Sequence, residues 1–264
     1  LDRLERGLNS NADALIIDLE DGCPADKKIL AREELINLLK ENAFTKPVFI
    51  RVNDAMDAIG REDIDAISPY QDQIEAIILP KTQSFDFLAT LAPMIDFSNK
   101  LVPLIETPRA IDTVTQIAAF KDVVGLFFGA ADSSASLGCK LAWEPLLYAR
   151  QKVVLAAAMY NLFTIDAPFF YIDDKEGLKK EAEAVKNLGF TGKAAIHPDQ
   201  IDFINESFAP TSEEIAEGKK VLEEYQKSGG GAVKIDGQMV DEPIAEAMSC
   251  LLYTSDAADE SSGV

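Results

Sequence analysis

Short apolar runs rich in β-branched residues recur along this chain, and longer amphipathic stretches separate them. The seven runs that we predict to be strands are residues 14–17, 48–52, 76–79, 101–105, 125–128, 164–167 and 193–196. Runs that are apolar at every position, not only at every second one, are typical of strands covered on both faces. The pattern therefore predicts a parallel sheet with helices packed against it.

Five of the amphipathic stretches predict helices, at residues 26–40, 84–95, 108–120, 145–161 and 175–188. Alternation of strand and helix indicates an α/β protein whose parallel sheet is built from βα units. A closed barrel of this class has eight strands, so the pattern predicts a (β/α)8 TIM barrel whose N-terminal strand would precede Leu1 and is missing from the sequence. The alternative is an open doubly wound sheet, which no GxGxxG or GxxxxGK loop supports.

The chain divides into three predicted segments, of which residues 1–207 form the barrel. Residues 208–249 contain the helix start Pro-Thr-Ser at 210–212 and a glycine run at 229–231, which predict a C-terminal helical lid and oligomerisation segment. Residues 250–264 open with CLLYTSDAADE, which breaks the preceding pattern and reads like a translated sequencing adapter. We expect these last residues to be an adapter-derived artefact.

Net charge, apolar runs and cysteine spacing indicate which binding partners and which cell compartment to expect. The net charge of -20 would repel nucleic acids and anionic membranes at long range, so any phosphorylated ligand needs a local cluster of Lys or Arg. No apolar run approaches the roughly 20 residues of a membrane helix, and no signal peptide is visible. Cys23, Cys139 and Cys250 have neither metal-ligand spacing nor a disulfide framework. We expect a cytoplasmic protein without nucleic-acid or membrane partners.

Charged residues lie at or just after the ends of most of the predicted strands: Asp18, Glu20, Asp21, Arg51, Lys81, Glu106 and Asp132. Because the carboxyl ends of barrel strands meet on one rim, these side chains are expected to form the active site there. Several carboxylates on a small rim repel one another unless a cation compensates their charge. The pattern therefore predicts a divalent metal ion, with the Asp18, Glu20, Asp21 and Lys81 side chains in supporting positions.

Two of these positions fit particular ligands. Glu106 and Asp132 follow adjacent predicted strands and could supply two oxygen ligands, which suits Mg²⁺, with Mn²⁺ as the alternative; otherwise they form salt bridges with Arg51 and Lys81. The planar fork of Arg51 matches the carboxylate of a 2-oxo or 2-hydroxy acid, or alternatively pairs with the acidic cluster at residues 18–21.

The sequence leaves the roles of several further residues open. The acids at 18–21 are either structural, with Lys27, Lys28 and Arg32 as basic partners, or they place Glu20 or Asp21 on metal-bound water. His197, the only histidine, is predicted to be a hydrogen-bonded residue at a strand end.

Nine motifs, taken in order, resemble the citrate lyase beta-subunit-like branch of the HpcH/HpaI aldolase family. They are DLEDGCPADKKILAR, FIRVN, ILPK, PLIET, FFGAADSSASLG, LLYARQKVVLAA, IDAPFF, LGFTGKAAIHPDQI and IDGQMVDEP. The resemblance covers residues 1 to about 248, and the histidine of IHP favours stand-alone lyases of malyl-CoA or citramalyl-CoA over the acyl-carrier-protein-dependent citrate lyase subunit.

This resemblance implies a (β/α)8 barrel, Mg²⁺ and reversible carbon-carbon cleavage of a 3-hydroxyacyl-CoA to acetyl-CoA, or a homologue, and a 2-oxo acid. It implies that Glu106 and Asp132 bind the metal and that Arg51 binds the oxo-acid carboxylate. It also implies that Ile165 and Asp166 line the substrate pocket. The alternatives are a citryl-CoA or citryl-carrier-protein lyase subunit and a malyl-CoA thioesterase on the same site.

The resemblance assigns the acid/base role to Asp241, which the C-terminal segment would deliver to the barrel mouth of a neighbouring subunit. A homotrimer, or a multiple of it, is the oligomer implied. Arg3 and Arg6 would be the surviving part of the CoA phosphate site, next to the missing N-terminal strand. The small residues after Asp132 leave the preferred acyl group open.

Overall fold

The structure is a computed structural model that describes residues 4–95, 97 and 100–261. The chain forms two compact units, Leu1–Ile204 and Asn205–Val264. The predicted boundary between barrel and C-terminal segment, after residue 207, lies within three residues of this division. The lid role of the second unit stays a prediction.

The strands of the first unit form one parallel sheet. They are β1 (Leu15–Asp18), β2 (Val48–Arg51), β3 (Ala76–Leu79), β4 (Leu101–Ile105), β5 (Gly125–Phe128), β6 (Phe163–Asp166) and β7 (Gly192–Lys193). Each strand pairs with the next one along the chain, from β1 to β7. A doubly wound sheet would instead reverse its strand order at a switch point. The sequential order is that of a (β/α) barrel, and the predicted α/β fold class is confirmed.

Helices connect these strands, and all five predicted helices are present. The helices are α1 (Leu4–Leu8), α2 (Lys28–Lys40), α3 (Ala58–Ile67), α4 (Phe85–Leu91), α5 (Pro108–Ala118), α6 (Ala130–Leu137), α7 (Trp143–Tyr160), α8 (Lys175–Leu188) and α9 (Ile201–Phe208). Short 3₁₀ turns adjoin α2, α3, α4 and α9, at Ala25–Lys27, Ser68–Gln73, Ala92–Met94 and Pro198–Gln200. The helices α3 and α6 were not predicted.

Local signals explain where several helices begin and end. Ser84 and Thr107 accept hydrogen bonds from the N–H groups of the first turns of α4 and α5, and Asp174 does so for α8. Gly138 and Gly189 end α6 and α8 in the left-handed conformation, which glycine adopts without steric cost.

The interior of the sheet is filled by side chains from successive strands. Its buried members are Phe49, Ala76, Ile78, Val102, Leu104 and Phe127, and Phe163 and Ile165 of β6 pack against them. Fully burying a large apolar side chain stabilises a fold by about 1.5–3 kcal/mol, so this cluster holds the strands together.

The last strand differs from its prediction. Residues 193–196 were predicted, but β7 is Gly192–Lys193, and its pairs with β6 are Ile165 with Gly192 and Asp166 with Lys193. The N–H of Ala194 still donates to the backbone oxygen of Asp166, the last residue of β6, at 2.9 Å. Beyond Ala194 the chain has passed the end of β6, so the strand is shorter than the apolar run that predicted it.

The second unit contains α10 (Ser212–Lys227), the antiparallel hairpin of β8 (Val233–Ile235) and β9 (Gln238–Val240), and α11 (Glu242–Ser261). Asp236 and Gly237 turn the hairpin with positive φ angles of 47° and 89°, as a two-residue Asp-Gly turn requires. Neither the hairpin nor α11 was predicted, and α11 continues through residues 250–261. No helix in the described part of the chain has the length and apolar character to cross a membrane.

Candidate active site

Asp18 and Arg51 form an ion pair where β1 and β2 end. The two residues are paired in the strand register, so their side chains leave the sheet side by side. Nε of Arg51 lies 2.7 Å from Oδ1 of Asp18, and Nη2 lies 2.5 Å from Oδ2. Asp18 also accepts the backbone N–H groups of Glu20 and Gly22. Arg51 therefore pairs with Asp18 of the acidic cluster, which was one of the two predicted roles of its side chain.

The electrostatics of this pair favour its charged form. Burial would raise the pKa of Asp18, but the hydrogen bonds and charge of Arg51 and the two backbone N–H groups outweigh burial and hold the pKa below its usual value. Burial likewise opposes the charge on Arg51, yet Asp18 raises the pKa of that guanidinium. Both groups are therefore ionised at neutral pH.

Glu20 joins this pair to Lys81. Its side chain is buried, with Oε2 3.4 Å from Nη1 of Arg51 and Oε1 3.5 Å from Nζ of Lys81. Burial raises the pKa of Glu20, and Asp21 and Asp18 add to the rise, while Arg51 and Lys81 oppose it. Asp21 itself is exposed.

Lys81 follows β3 in a left-handed conformation, with φ 55°. Such a backbone costs a non-glycine residue roughly 1–2 kcal/mol, so the surrounding contacts must hold it. One of these contacts is the backbone N–H of Lys81, which donates to Oε1 of Glu106 at 2.6 Å. Lys81 thus contributes its backbone to Glu106 and its side chain to Glu20.

Glu106 follows β4 and is only 3% exposed. Burial raises its pKa to about 7, the charges of Glu20 and Asp132 add to the rise, and the N–H of Lys81 and the charge of Arg51 lower it. Gly129 packs closely against it, since a Cβ there would lie 2.6 Å from Cβ and 3.1 Å from Oε2 of Glu106. Glu106 is therefore a buried carboxylate among other acids, in an environment that opposes its charge.

Asp132 lies in the first turn of α6, close enough to raise the pKa of Glu106. Its side chain is exposed. Within the described residues, no cluster of three His, Cys, Asp or Glu side chains could hold a metal. Two carboxylates without a third ligand still fit Mg²⁺, because that ion keeps several water or substrate oxygens and relieves the repulsion between acids.

Asp166 belongs to a separate cluster of charges. Arg150 of α7 donates to Oδ1 of Asp166 at 2.7 Å, and Lys193 of β7 donates to Oδ2 at 2.8 Å. Lys193 also donates to Glu181 of α8 and to the backbone oxygen of Ala167. The carboxylate of Asp166 is thus enclosed by cations, while Ile165, the preceding residue, packs into the interior of the sheet. That both line a substrate pocket stays a prediction.

The cationic members of this cluster, Arg150 and Lys193, were not predicted as site residues. The guanidinium carbon of Arg150 lies 5.1 Å from the Phe128 ring centroid and 4.8 Å from that of Trp143, and its Nη1 has no hydrogen-bond partner in the described structure. It lines a pocket of about 20 Å³, which is space for one water molecule. A cation within an apolar helix was the available signal, because such a residue needs a buried partner.

The basic residues near the acidic cluster have other partners. Lys28 donates to Oδ1 of Asn53, and Arg32 forms ion pairs with Asp63 at 2.6 Å and Glu62 at 2.9 Å. These contacts replace the pairing with residues 18–21 that the sequence left open for Lys28 and Arg32.

The remaining predicted residues lie apart from this rim or outside the description. His197 accepts the N–H of Asp199, so its prediction as a hydrogen-bonded residue is confirmed. Its predicted place at a strand end is wrong, because β7 ends at Lys193 and His197 caps a 3₁₀ turn. Arg6 is exposed on α1, and Arg3 lies outside the described residues. Asp241 is partly exposed between β9 and α11 of the second unit.

Several known proteins resemble this chain in sequence and in fold. Human mitochondrial citramalyl-CoA lyase is 30% identical over 260 residues, which cover 89% of this chain and 76% of that protein. A (3S)-malyl-CoA thioesterase of Cereibacter sphaeroides is 30% identical over 246 residues, covering 90% and 85%. The structure of CitE from Mycobacterium tuberculosis in complex with magnesium, acetoacetate and coenzyme A matches with a TM-score of 0.83 and 29% identity, covering 97% and 94%.

The family model described as HpcH/HpaI aldolase/citrate lyase matches residues 4–198, which include every predicted site residue of the rim. The predicted resemblance is therefore confirmed, and so is the barrel-like fold. The chain belongs to the HpcH/HpaI aldolase/citrate lyase family and is an enzyme of the lyase class.

Proposed function

We propose that this chain is a Mg²⁺-dependent CoA-ester lyase that reversibly cleaves a 3-hydroxyacyl-CoA, such as malyl-CoA or citramalyl-CoA, to acetyl-CoA or a homologue and a 2-oxo acid. The observation that carries the proposal is the buried carboxylate of Glu106, whose raised pKa reflects burial beside Glu20 and Asp132. A site that opposes a carboxylate's charge is suited to a divalent cation. The name of the human relative supports the reaction class.

Glu106 and Asp132 are the residues that would hold Mg²⁺ in this proposal. When bound, the ion supplies positive charge that stabilises the developing negative charge on the oxygen of the 2-oxo acid. A magnesium ion accompanies acetoacetate and coenzyme A in the Mycobacterium tuberculosis structure. Mn²⁺ is the alternative ion, because it accepts the same oxygen ligands.

Arg51 binds the carboxylate of the 2-oxo acid in this proposal. Asp18 engages Nε and Nη2, which form one edge of the guanidinium group. The outer edge, formed by Nη1 and Nη2, keeps further N–H groups, and Glu20 lies 3.4 Å from Nη1. Pairing with Asp18 and binding a substrate carboxylate are therefore compatible, since Asp18 orients the group that receives the ligand.

Asp241 is the proposed acid/base group, acting on a neighbouring subunit of a homotrimer or a multiple of it. In the condensation direction it takes a proton from the carbon next to the thioester of acetyl-CoA. That carbon forms a bond to the 2-oxo carbon, whose carbonyl oxygen becomes an alkoxide and takes up a proton from solvent to give the hydroxyl group. In the cleavage direction the hydroxyl group gives up its proton to solvent, this bond breaks as the carbonyl forms, and Asp241 returns its proton to the acetyl carbon. Arg6, and Arg3 outside the described residues, would meet the CoA phosphates.

A thioesterase acting on malyl-CoA is the second candidate, because a relative of that name is 30% identical over 90% of this chain. The two reactions release different products. A lyase forms acetyl-CoA and a 2-oxo acid, whereas a thioesterase forms free CoA and the intact hydroxy acid.

Product analysis of the purified chain tests the proposal. We would incubate it with malyl-CoA, citramalyl-CoA or citryl-CoA, each with Mg²⁺ and with EDTA, and separate the CoA products by chromatography. We expect acetyl-CoA from malyl-CoA or citramalyl-CoA, and only with Mg²⁺. Free CoA without acetyl-CoA would instead assign the thioesterase reaction, and cleavage of citryl-CoA alone would assign a citrate lyase subunit. Cleavage that continues in EDTA would contradict the proposed dependence on Mg²⁺.

A further inference from the structure

Asp63 of α3 is a fully buried carboxylate behind the loops that follow β1 and β2. It accepts hydrogen bonds from Nε of Arg32 at 2.6 Å, from the backbone N–H of Asn53 at 3.0 Å and from Nδ2 of Asn53 at 2.6 Å. A buried carboxylate needs such donors, because leaving it without them costs its full desolvation penalty. Asn53 is therefore held by both its backbone and its side chain.

Asn53 connects Asp63 to the loop after β1 through hydrogen bonds of its side chain. Its Nδ2 also donates to the backbone oxygen of Leu19 at 2.9 Å, and its Oδ1 accepts from Lys28. The N–H of Leu19 donates in turn to the backbone oxygen of Arg51 at 2.9 Å. Leu19 is thus held by the backbone of Arg51 on one side and by the side chain of Asn53 on the other.

Leu19 directly precedes Glu20, whose carboxylate lies between Arg51 and Lys81. The position of Glu20 relative to the Arg51 guanidinium therefore depends on the placement of the Leu19 peptide. The helix that carries Asp63 is itself packed tightly, because a Cβ at Gly60 would lie 2.1 Å from the backbone oxygen of Asp54. An alternative placement of α3 against this loop is sterically restricted.

We propose that Asp63 is a positioning residue, which fixes Glu20 and the Arg51 guanidinium through Asn53 and Leu19 so that Arg51 can receive the ligand carboxylate. The identity of that ligand, a 2-oxo acid, rests on the proposed function. The coupling from Asp63 to Glu20 rests only on the hydrogen bonds.

Binding of pyruvate in the presence of Mg²⁺ tests the proposal by calorimetry. We expect Asp63→Asn and Asp63→Ala to raise the pyruvate Kd about tenfold, which corresponds to the loss of one buried hydrogen-bonding partner. Glu62→Gln is the matched control, because Glu62 also pairs with Arg32 but its side chain is 61% exposed. It should change the Kd less than about twofold. Folded Asp63 variants with the wild-type Kd would overturn the proposal.

A double-mutant cycle separates positioning from a general loss of structure. If Asp63 acts through Asn53, then Asn53→Ala should raise the pyruvate Kd, and adding Asp63→Ala should change it no further. Additive effects would show that Asp63 acts by another route and would contradict the proposal. Should neither Asp63 variant fold, Asn53→Ala alone tests the link, because Asp63 then keeps its ion pair with Arg32; a wild-type Kd would refute it.

Hydrogen exchange gives a readout that does not depend on the ligand. In Asp63→Asn, the amides of residues 19–22 should exchange faster than in the wild type, while those of β6 should be unchanged. If the wild type binds no pyruvate, the assignment of the ligand fails, and this measurement still decides the role of Asp63. Unchanged exchange at residues 19–22 would count against it.

Discussion

The ammonium group of Lys193 donates a hydrogen bond of 2.8 Å to the carboxylate of Asp166, and both side chains are completely buried. Lys193 also donates to Glu181 at 2.8 Å, so the pair joins the ends of β6 and β7 to α8. Without Lys193, Asp166 would keep Arg150 as its cation, but losing a partner is costly for a buried charge. The pair therefore makes these two strand ends depend on each other.

We expect Lys193→Met to lower the free energy of unfolding by about 3 kcal/mol, the low end of the usual cost of breaking a buried ion pair. Asp166 keeps its bond to Arg150, but Glu181 loses its partner at 2.8 Å. Chemical denaturation measures the change. Lys121→Met is the control, since the Lys121 side chain is 82% exposed, and a surface substitution of this kind should stay within about 0.5 kcal/mol. Equal effects of the two substitutions would mean that the buried pair adds nothing.

Gly129→Ala should disturb Glu106, because the added Cβ would lie 2.6 Å from the Cβ of Glu106. Overpacking of this kind costs about 1–3 kcal/mol of stability, and the displaced carboxylate should weaken Mg²⁺ binding measured by calorimetry. Gly192→Ala is the matched control, because the nearest atom to its Cβ would be the Thr164 backbone oxygen at 4.0 Å. Unchanged Mg²⁺ affinity in folded Gly129→Ala would argue against Glu106 as a metal ligand.

The raised pKa of Glu106 predicts a pH dependence of stability in the metal-free protein. The pKa is about 7 in the folded chain and 4.5 ordinarily, so the folded state holds the proton more tightly. Stability should therefore fall as the pH rises from 4.5 through 7, and the loss should persist above that range. Glu106→Gln removes the ionisable group, so at pH 8 in EDTA it should be more stable than the wild type by on the order of 2 kcal/mol.

Denaturation in EDTA at pH 4.5 and at pH 8 checks this sign. The stabilisation by Glu106→Gln should vanish at the lower pH, because Glu106 is then largely protonated in the folded wild type. Glu33→Gln, at an exposed position of α2, controls for removing one negative charge from a chain of net charge -20. A Glu106→Gln variant that is less stable than the wild type at pH 8 would contradict the prediction.

Subunit mixing tests whether Asp241 acts on a neighbouring subunit. Arg51→Ala and Asp241→Asn should each be inactive, because each removes one half of every site. A mixture that exchanges subunits at equal concentrations should recover about one quarter of wild-type lyase activity, since a working site needs an intact Arg51 and a neighbour with an intact Asp241. The absence of recovery in verified mixed oligomers would place both residues in one chain.

The positions of β1 to β6 followed from the apolar runs, because strands covered on both faces require continuous hydrophobic residues. The polar residues after those runs also located the rim, including Asp18, Arg51 and Glu106. The helix α6 was missed, since AADSSASL has few large apolar residues and reads as a loop after a strand. The hairpin β8–β9 was missed because its strands have three residues each.

The sequence by itself determined the α/β class, the family and the chemical types at the rim, because hydrophobic periodicity and motif order are properties of the chain. Tertiary structure decided which charges meet: Arg51 with Asp18, Arg32 with Asp63, and Lys193 with Asp166. These partners are separated by 27 to 33 residues in the sequence, and many other acids and bases lie between them. Pairing depends on where the strands and helices place each side chain and on which charged groups become buried. The local sequence determines neither the positions of distant side chains nor their burial.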